Sequence, residues 1–202
     1  MPAIRERLEV GHYFVVAADG GALVAEQLGL VPDVVIGDID SLGETEQLFA
    51  EMGCRFVRFK AEKDETDTHL ALQWAYEQGY RDLSVLLQRS GRLDHVLSAI
   101  WVGTGFLSKS AFVRYVDSGF EAVLLKGPAE LVVRSAKPLT VSLLPIASQV
   151  HGVTIEGMKY PLMQATLSLG ESRGISNETV SETAHVRVRE GILLVTATDT
   201  DV

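Results

Sequence analysis

The sequence predicts an α/β protein with an all-β second part: a mainly parallel, Rossmann-like sheet with helices on both faces, followed by a β-sandwich. Three observations predict it. Apolar runs of strand length alternate with helical stretches from Tyr13 to Val116, the pattern of a parallel sheet covered by helices. From about Gly127 the helical pattern stops, and short β-type runs follow one another, broken by Gly, Pro, Ser and Asn. Aspartate follows the same division: nine of the eleven lie between Asp19 and Asp117, in a residue type that favours caps and loops. The change of character near Lys126 sets the expected domains, 1–126 for the α/β part and 127–202 for the β-sandwich.

The elements follow in order. Tyr13–Ala18 (YFVVAA) has strand length and ends at Asp19-Gly20-Gly21. Ala22–Leu28 has helical character, with Gly29 as its stop. Val34–Ile36 is a short buried strand running into Gly37-Asp38, Thr45–Met52 a helix stopped by Gly53, and Arg55–Phe59 a strand. Thr66–Gln78 is the clearest helix, with Leu70, Leu72, Trp74, Ala75 and Tyr76 for packing and Gly79 at its end. Leu83–Leu87 is a strand, Leu93–Leu107 a helix weakened by Gly103 and Gly105, and Phe112–Val116 a strand. The second part offers strands at Glu121–Leu125, Leu131–Arg134, Thr140–Leu144, Val150–Ile155, Ala165–Leu169, Ala184–Arg189 and Ile192–Thr196. Its last two read as a hairpin turning near Glu190-Gly191.

Composition narrows the function. With 47% hydrophobic and 22% charged residues, the 202-residue chain is ordinary for a globular protein with a real core. Its 18 basic and 27 acidic side chains give a net charge of −9, a poor field for nucleic acid. No apolar run approaches the ~20 residues of a helical membrane span, so no membrane partner is expected. Cys54 is the only cysteine, which excludes an intrachain disulfide and a cysteine-based zinc site. The opening MPAIRERLEV lacks the apolar core of a secretory signal, and a cytoplasmic protein is expected.

In open parallel sheets, ligands bind beyond the carboxyl ends of the strands. Here those ends carry Asp19, Asp38, Asp40 and Asp64 and, after Leu87, Arg89, Arg92 and Asp94. In Gly37-Asp38-Ile39-Asp40-Ser41, aspartates at i and i+2 of extended backbone point the same way. Their repulsion, ~1 kcal/mol in water and more where solvent is scarce, is removed by a hard cation. The same residues also read as a solvated turn capping the next helix. Lys63-Asp64-Glu65-Thr66-Asp67 opens the strongest helix, where Asp64 or Thr66 serves as an N-cap or Asp64 and Asp67 share a metal with Asp38 or Asp40. Arg89-Ser90-Gly91-Arg92-Leu93-Asp94-His95 is a strand-to-helix loop suited to phosphate, with Asp94 alternatively a helix cap and His95 structural. In the β-part, Tyr160 offers a face for stacking on a flat ring, and Ser176 and Asn177 offer hydrogen bonds to it, although the same stretches read as turns.

The combination resembles thiamine pyrophosphokinase. The resemblance rests on ADGGA (18–22), PDVVIGDIDS (32–41), KDETDTHLAL (63–72) and GRLDH (91–95), then SLLPI (142–146), GVTIEGMKYPL (152–162) and RGISNE (173–178), in that order. It runs from about Ala18 to Val195. It implies an amino-terminal α/β domain and a carboxyl-terminal β-sandwich in a homodimer with active sites at the subunit interface. It also implies the reaction of thiamine with ATP, with Mg²⁺, to give thiamine diphosphate and AMP. Carried over by position, Asp38, Asp40, Asp64 and Asp67 are the metal- and ATP-binding acids, and Asp19 and Asp94 lie beside them on the ATP side. Arg92 binds ATP phosphates, supported by Lys63 and Ser41. Asp40 or Asp67 accepts the hydroxyl proton. Tyr160, Ser176 and Asn177 correspond to the thiamine side. The sequence departs from the family pattern at its short, helical-looking RERLEV start, at Gln88-Arg89-Ser90 and at Ile39, where an aromatic residue is usual. An enzyme of the same scaffold acting on another alcohol, and a non-catalytic thiamine or nucleotide sensor, are the rival readings; AMP release across a substrate panel separates them.

Overall fold

The computed structural model describes residues 13–87, 92–108 and 110–199. The RERLEV helix reading and the loop residues Arg89, Ser90 and Gly91 lie outside these described residues. The chain divides into two compact units, 1–83 and 84–202.

The first unit is built on a three-stranded parallel sheet in the order β1 (Val16–Ala18), β2 (Val34–Gly37), β3 (Arg55–Arg58). Helices α1 (Gly21–Gln27), α2 (Thr45–Glu51) and α3 (Asp67–Glu77) lie between and after the strands. The central strand is buried on both sides, and its alternation assigns the layers. Val35 packs with Ala17, Ala22, Leu42, Phe49 and Cys54, the α1 and α2 side. Val34 and Ile36 pack with Ala71, Leu70 and Trp74, the α3 side. Helices therefore cover both faces, as the sequence predicts. The predicted helix stops Gly29, Gly53 and Gly79 all have positive φ. Thr66 caps α3, its Oγ1 accepting from His69 N at 3.2 Å, and Arg81 donates to the carbonyls of Tyr76 and Tyr80 at 2.7 and 2.9 Å beyond the other end.

The strands up to Val116 do not share one sheet: β1, β2 and β3 form the first by themselves, which corrects the expectation of one parallel sheet extending to Val116. β4 (Asp82–Leu86) and β5 (Phe112–Val116) belong to a six-stranded sheet ordered β11-β8-β13-β6-β5-β4, with β6 (Phe120–Lys126), β8 (Leu139–Pro145), β11 (Asn177–Glu178) and β13 (Ile192–Asp199). The cause is local. Asp117-Ser118-Gly119 turns the chain tightly, with Asp117 N donating to Phe120 O at 3.0 Å, so β6 returns antiparallel beside β5. A parallel neighbour needs a crossover of a dozen or more residues. α4 (Leu93–Leu107) packs on this sheet, where the buried Tyr115 hydroxyl donates to Ala99 O at 3.0 Å.

A second sheet, β10 (Leu162–Ser168), β9 (Gln149–Glu156), β12 (Thr183–Val188), β7 (Ala129–Arg134), is antiparallel throughout. Val153, Ile155, Leu167 and Val186 from it share one core with Val141, Leu143, Leu193 and Val195 from the six-stranded sheet. This is the predicted β-sandwich. The predicted terminal hairpin is corrected: β12 and β13 do not pair, but enter opposite sheets. Both strands alternate or run apolar because both face the same core, and that pattern is shared by a hairpin and by a change of layer. The bridge His151↔Glu190 and the bond Gly127 N to Gly191 O, 3.0 Å, hold the 190–191 crossing.

Candidate active site

In the first unit the carboxyl ends of β1 and β2 and the amino end of α3 converge. Asp19 directly follows β1, with a left-handed backbone (φ +42°), and its N–H donates to Ile36 O at 2.8 Å. Ser41 Oγ donates to Asp19 Oδ1 at 2.9 Å. Gly37 makes the convergence possible. A Cβ there would stand 3.0 Å from Asp19 Cβ and 3.2 Å from Asp67 Oδ1, so any side chain would force these two acids away.

Asp38 and Asp40 do come together, but not through extended backbone as the sequence reading has it. Ile39 between them is left-handed (φ +67°), an uncommon state for a β-branched residue. Its side chain, 2% exposed, is held in the core with Ala17, Leu42 and Phe49. The anchored apolar residue stabilises the kink that leaves its two acidic neighbours at the surface. Ligand oxygens of Asp19, Asp38 and Asp40 all lie within 4.8 Å of one another. The cost is visible in Asp40: Asp38 first, then desolvation, then Asp19 and Asp67 push its carboxyl above the ordinary value.

Asp67 occupies the first turn of α3, and Lys63 Nζ meets its covered Oδ1 at 2.9 Å. Asp64 is exposed in the preceding loop and is not part of the three-carboxylate group. Arg58, which the sequence reading did not single out, pairs with Glu46 and donates to the Asp38 carbonyl at 3.4 Å, tying β3 and α2 to the acid loop. No motif marks it; only the parallel pairing Gly37↔Arg58 places it there.

In the second unit, Arg92 is the extended N-cap residue of α4 and forms a fork on Asp94, with Nε at 3.2 Å from Oδ1 and a terminal nitrogen at 2.5 Å from Oδ2. The pairing raises the Arg92 pKa and holds Asp94 below the ordinary carboxylate value. Both side chains are exposed. A shallow pocket in the same unit is lined by Ile155, Tyr160, Leu162, Arg173, Gly174, Ile175 and Asn177. Tyr160 and Asn177 thus share one site. Ser176, left-handed at φ +56° and exposed, adjoins it and is fixed through its N–H to Ser142 Oγ at 3.0 Å. Arg173 and Gly174 are additions to the expected set; they stand in RGISNE, where they read only as turn residues.

These two groups of residues map onto two family models. The model of the thiamin pyrophosphokinase catalytic domain matches residues 6–114, which include every acid described above and Arg92. The model of the thiamin pyrophosphokinase vitamin B1 binding domain matches residues 130–193, which include the Tyr160 pocket. This chain belongs to the thiamin pyrophosphokinase family. The resemblance carried by the motifs is therefore borne out, and with it the family's activity as a diphosphotransferase. The chain is 27% identical to a thiamine pyrophosphokinase of Bacillus subtilis (strain 168), over 91% of its own length and 86% of that protein's. The crystal structure of thiamine pyrophosphokinase from Bacillus subtilis matches with a TM-score of 0.84 at 25% identity, covering 96% of this chain and 92% of that one. The thiamin pyrophosphokinase of Geobacillus thermodenitrificans matches with a TM-score of 0.80 at 26% identity, covering 96% and 91%.

Proposed function

We propose that this chain transfers the pyrophosphoryl group of ATP to the hydroxyl of thiamine, giving thiamine diphosphate and AMP. The observation that carries the reading is the gathering of Asp19, Asp38 and Asp40 within 4.8 Å in a chain of this family. Among the described residues, no ion pair balances Asp38 or Asp40, and three crowded carboxylates are a fit donor set for a hard divalent cation. Mg²⁺ is the ion proposed, held by Asp38 and Asp40 with Asp19, with Asp67 flanking; Asp64, exposed in the loop before α3, is proposed to join them only when ion and nucleotide are bound. Bound there, Mg²⁺ would neutralise phosphate charge.

The chain's own residues do the remainder. The thiamine hydroxyl oxygen forms a bond to the β-phosphorus, and the bond from that phosphorus to the oxygen bridging to the α-phosphate breaks, releasing AMP. The hydroxyl proton passes to a carboxylate, Asp40 or Asp67. Arg92 exchanges Asp94 for phosphate oxygens with the same planar fork. Lys63 holds Asp67, and Ser41 holds Asp19. Tyr160, Ser176 and the rest of the pocket receive thiamine. The division of labour is 1–126 for nucleotide and metal and 127–202 for thiamine. A cytoplasmic homodimer with sites at the subunit interface completes the proposal; the exposed Leu93, Leu97 and Trp101, one turn apart along α4, provide an apolar stripe for association. No helix among the described residues is long and apolar enough to cross a membrane.

The test is direct: purified protein with thiamine, ATP and Mg²⁺, scored for equal amounts of AMP and thiamine diphosphate. Both products, with turnover lost in Asp67→Asn at unchanged circular dichroism, support the reading. ATP and thiamine binding without AMP would sink it in favour of a sensor.

A further inference from the structure

We infer that Asn177 is a positioning residue for substrate recognition: a buried amide that pins the backbone of Tyr160, so that the tyrosine ring stands as a fixed wall of the pocket. This rests on the assignment of that pocket to thiamine. The Asn177 side chain is 3% exposed and its polar atoms are engaged internally. Oδ1 accepts from Tyr160 N at 2.9 Å and from Glu178 N at 3.0 Å, and Nδ2 donates to Tyr160 O at 2.8 Å. Both acceptor positions of the oxygen are filled.

The surrounding backbone explains why such a clamp is needed. Residues 157–160 lie along 177–180 through the bridge Met158↔Thr179 and the bonds Lys159 N to Glu178 O, 2.9 Å, and Val180 N to Gly157 O, 3.0 Å. At Tyr160 this short ladder gives out, and the Asn177 amide supplies both a donor and an acceptor in place of a strand. Pro161 then disfavours helical backbone at Tyr160. Tyr160 is 60% exposed, and the charged neighbour over its ring, Lys159 Nζ, stands 5.7 Å from the ring centre. With so little packing, the ring's place is set through its backbone.

Steady-state kinetics on wild type, Asn177→Asp, Tyr160→Ala and the double variant test this. Asp keeps the acceptor but turns an oxygen toward Tyr160 O. The expected result is a thiamine KM raised about tenfold in each single variant, with kcat and the ATP KM within about twofold of wild type. The double variant is expected to be no worse than Tyr160→Ala, since Asn177 then has no ring to position. Multiplying effects overturn the proposal, because they place Asn177 on the substrate itself; so does an unchanged thiamine KM in Asn177→Asp, or a parallel loss in ATP KM. An unchanged thiamine KM in Tyr160→Ala overturns the pocket assignment, and the proposal with it. If Asn177→Asp does not fold, Asn177→Ser takes its place. Amide hydrogen exchange of wild type adds a check independent of variants: Tyr160 N–H exchanges slowly with and without thiamine, and fast exchange without thiamine refutes the clamp.

Discussion

Asp40 bears the repulsion of Asp38 first, then desolvation, then the repulsion of Asp19 and Asp67, and together these raise its pKa. A neutral amide of the same shape removes that repulsion, so Asp40→Asn is expected to raise the melting temperature of the metal-free protein. The same change is expected to lower kcat/KM by about a hundredfold or more, as loss of a preorganised electrostatic group does. Calorimetry in chelator and AMP-release assays read the two effects on one preparation. Full activity at ordinary Mg²⁺ removes Asp40 from the site. At this scale the acids were legible as residue types at strand ends, but their partition was not. Asp19 joins Asp38 and Asp40, whereas Asp64, equally prominent in sequence, stays exposed outside the group. What distinguishes them is the φ +42° turn after β1 and the bare Cα of Gly37, neither of which has a local pattern.

Two glycines of α4 separate helix propensity from packing. A Cβ at Gly103 would fall 1.9 Å from the Tyr115 hydroxyl and 3.0 Å from Leu124 Cδ1, whereas one at Gly105 meets nothing within 4 Å. Gly105→Ala is expected to stabilise the protein by about 0.5–1 kcal/mol through propensity. Gly103→Ala is expected to destabilise it by about 1–3 kcal/mol, because the buried tyrosine must move and give up its bond to Ala99 O. Urea unfolding of both variants checks the opposite signs. The helix itself, Leu93–Leu107, was legible in its period, and the weakening assigned to both glycines holds for propensity alone. Likewise Thr66 was legible as one of two caps for α3, and its bond to His69 N makes it the cap used; Thr66→Ala is expected to cost about 1 kcal/mol by the same measurement.

For the whole molecule, the acid cluster couples stability to pH and to metal. Between the ordinary carboxylate value and the raised value of Asp40, the folded state binds more protons than the unfolded state. Its stability contribution is therefore present at low pH and lost as pH rises through the raised value. A divalent cation opposes that loss, and more so once Asp40 is ionised. The melting-temperature gain from Mg²⁺ over chelator is thus expected to be larger at about pH 7 than at about pH 4.5. At a hundred times its dissociation constant, Mg²⁺ is worth about 2.7 kcal/mol, roughly 5–10 °C for a chain of this size. Scanning fluorimetry at the two pH values tests it; an equal gain at both contradicts a carboxylate site.

The sequence by itself determined the kind and order of most elements, a β-rich second half and the presence of acids at strand ends, because burial periodicity and turn chemistry are local. The ordered motifs likewise identified the family. Only the tertiary structure decided which strands pair. It put β4 and β5 in a different sheet from β1–β3, sent β12 and β13 to opposite layers and kinked the acid loop at Ile39. It also turned Asn177 inward onto Tyr160. Those outcomes depend on contacts between distant segments, and an alternating strand or a turn-forming residue reads the same whichever partner it meets.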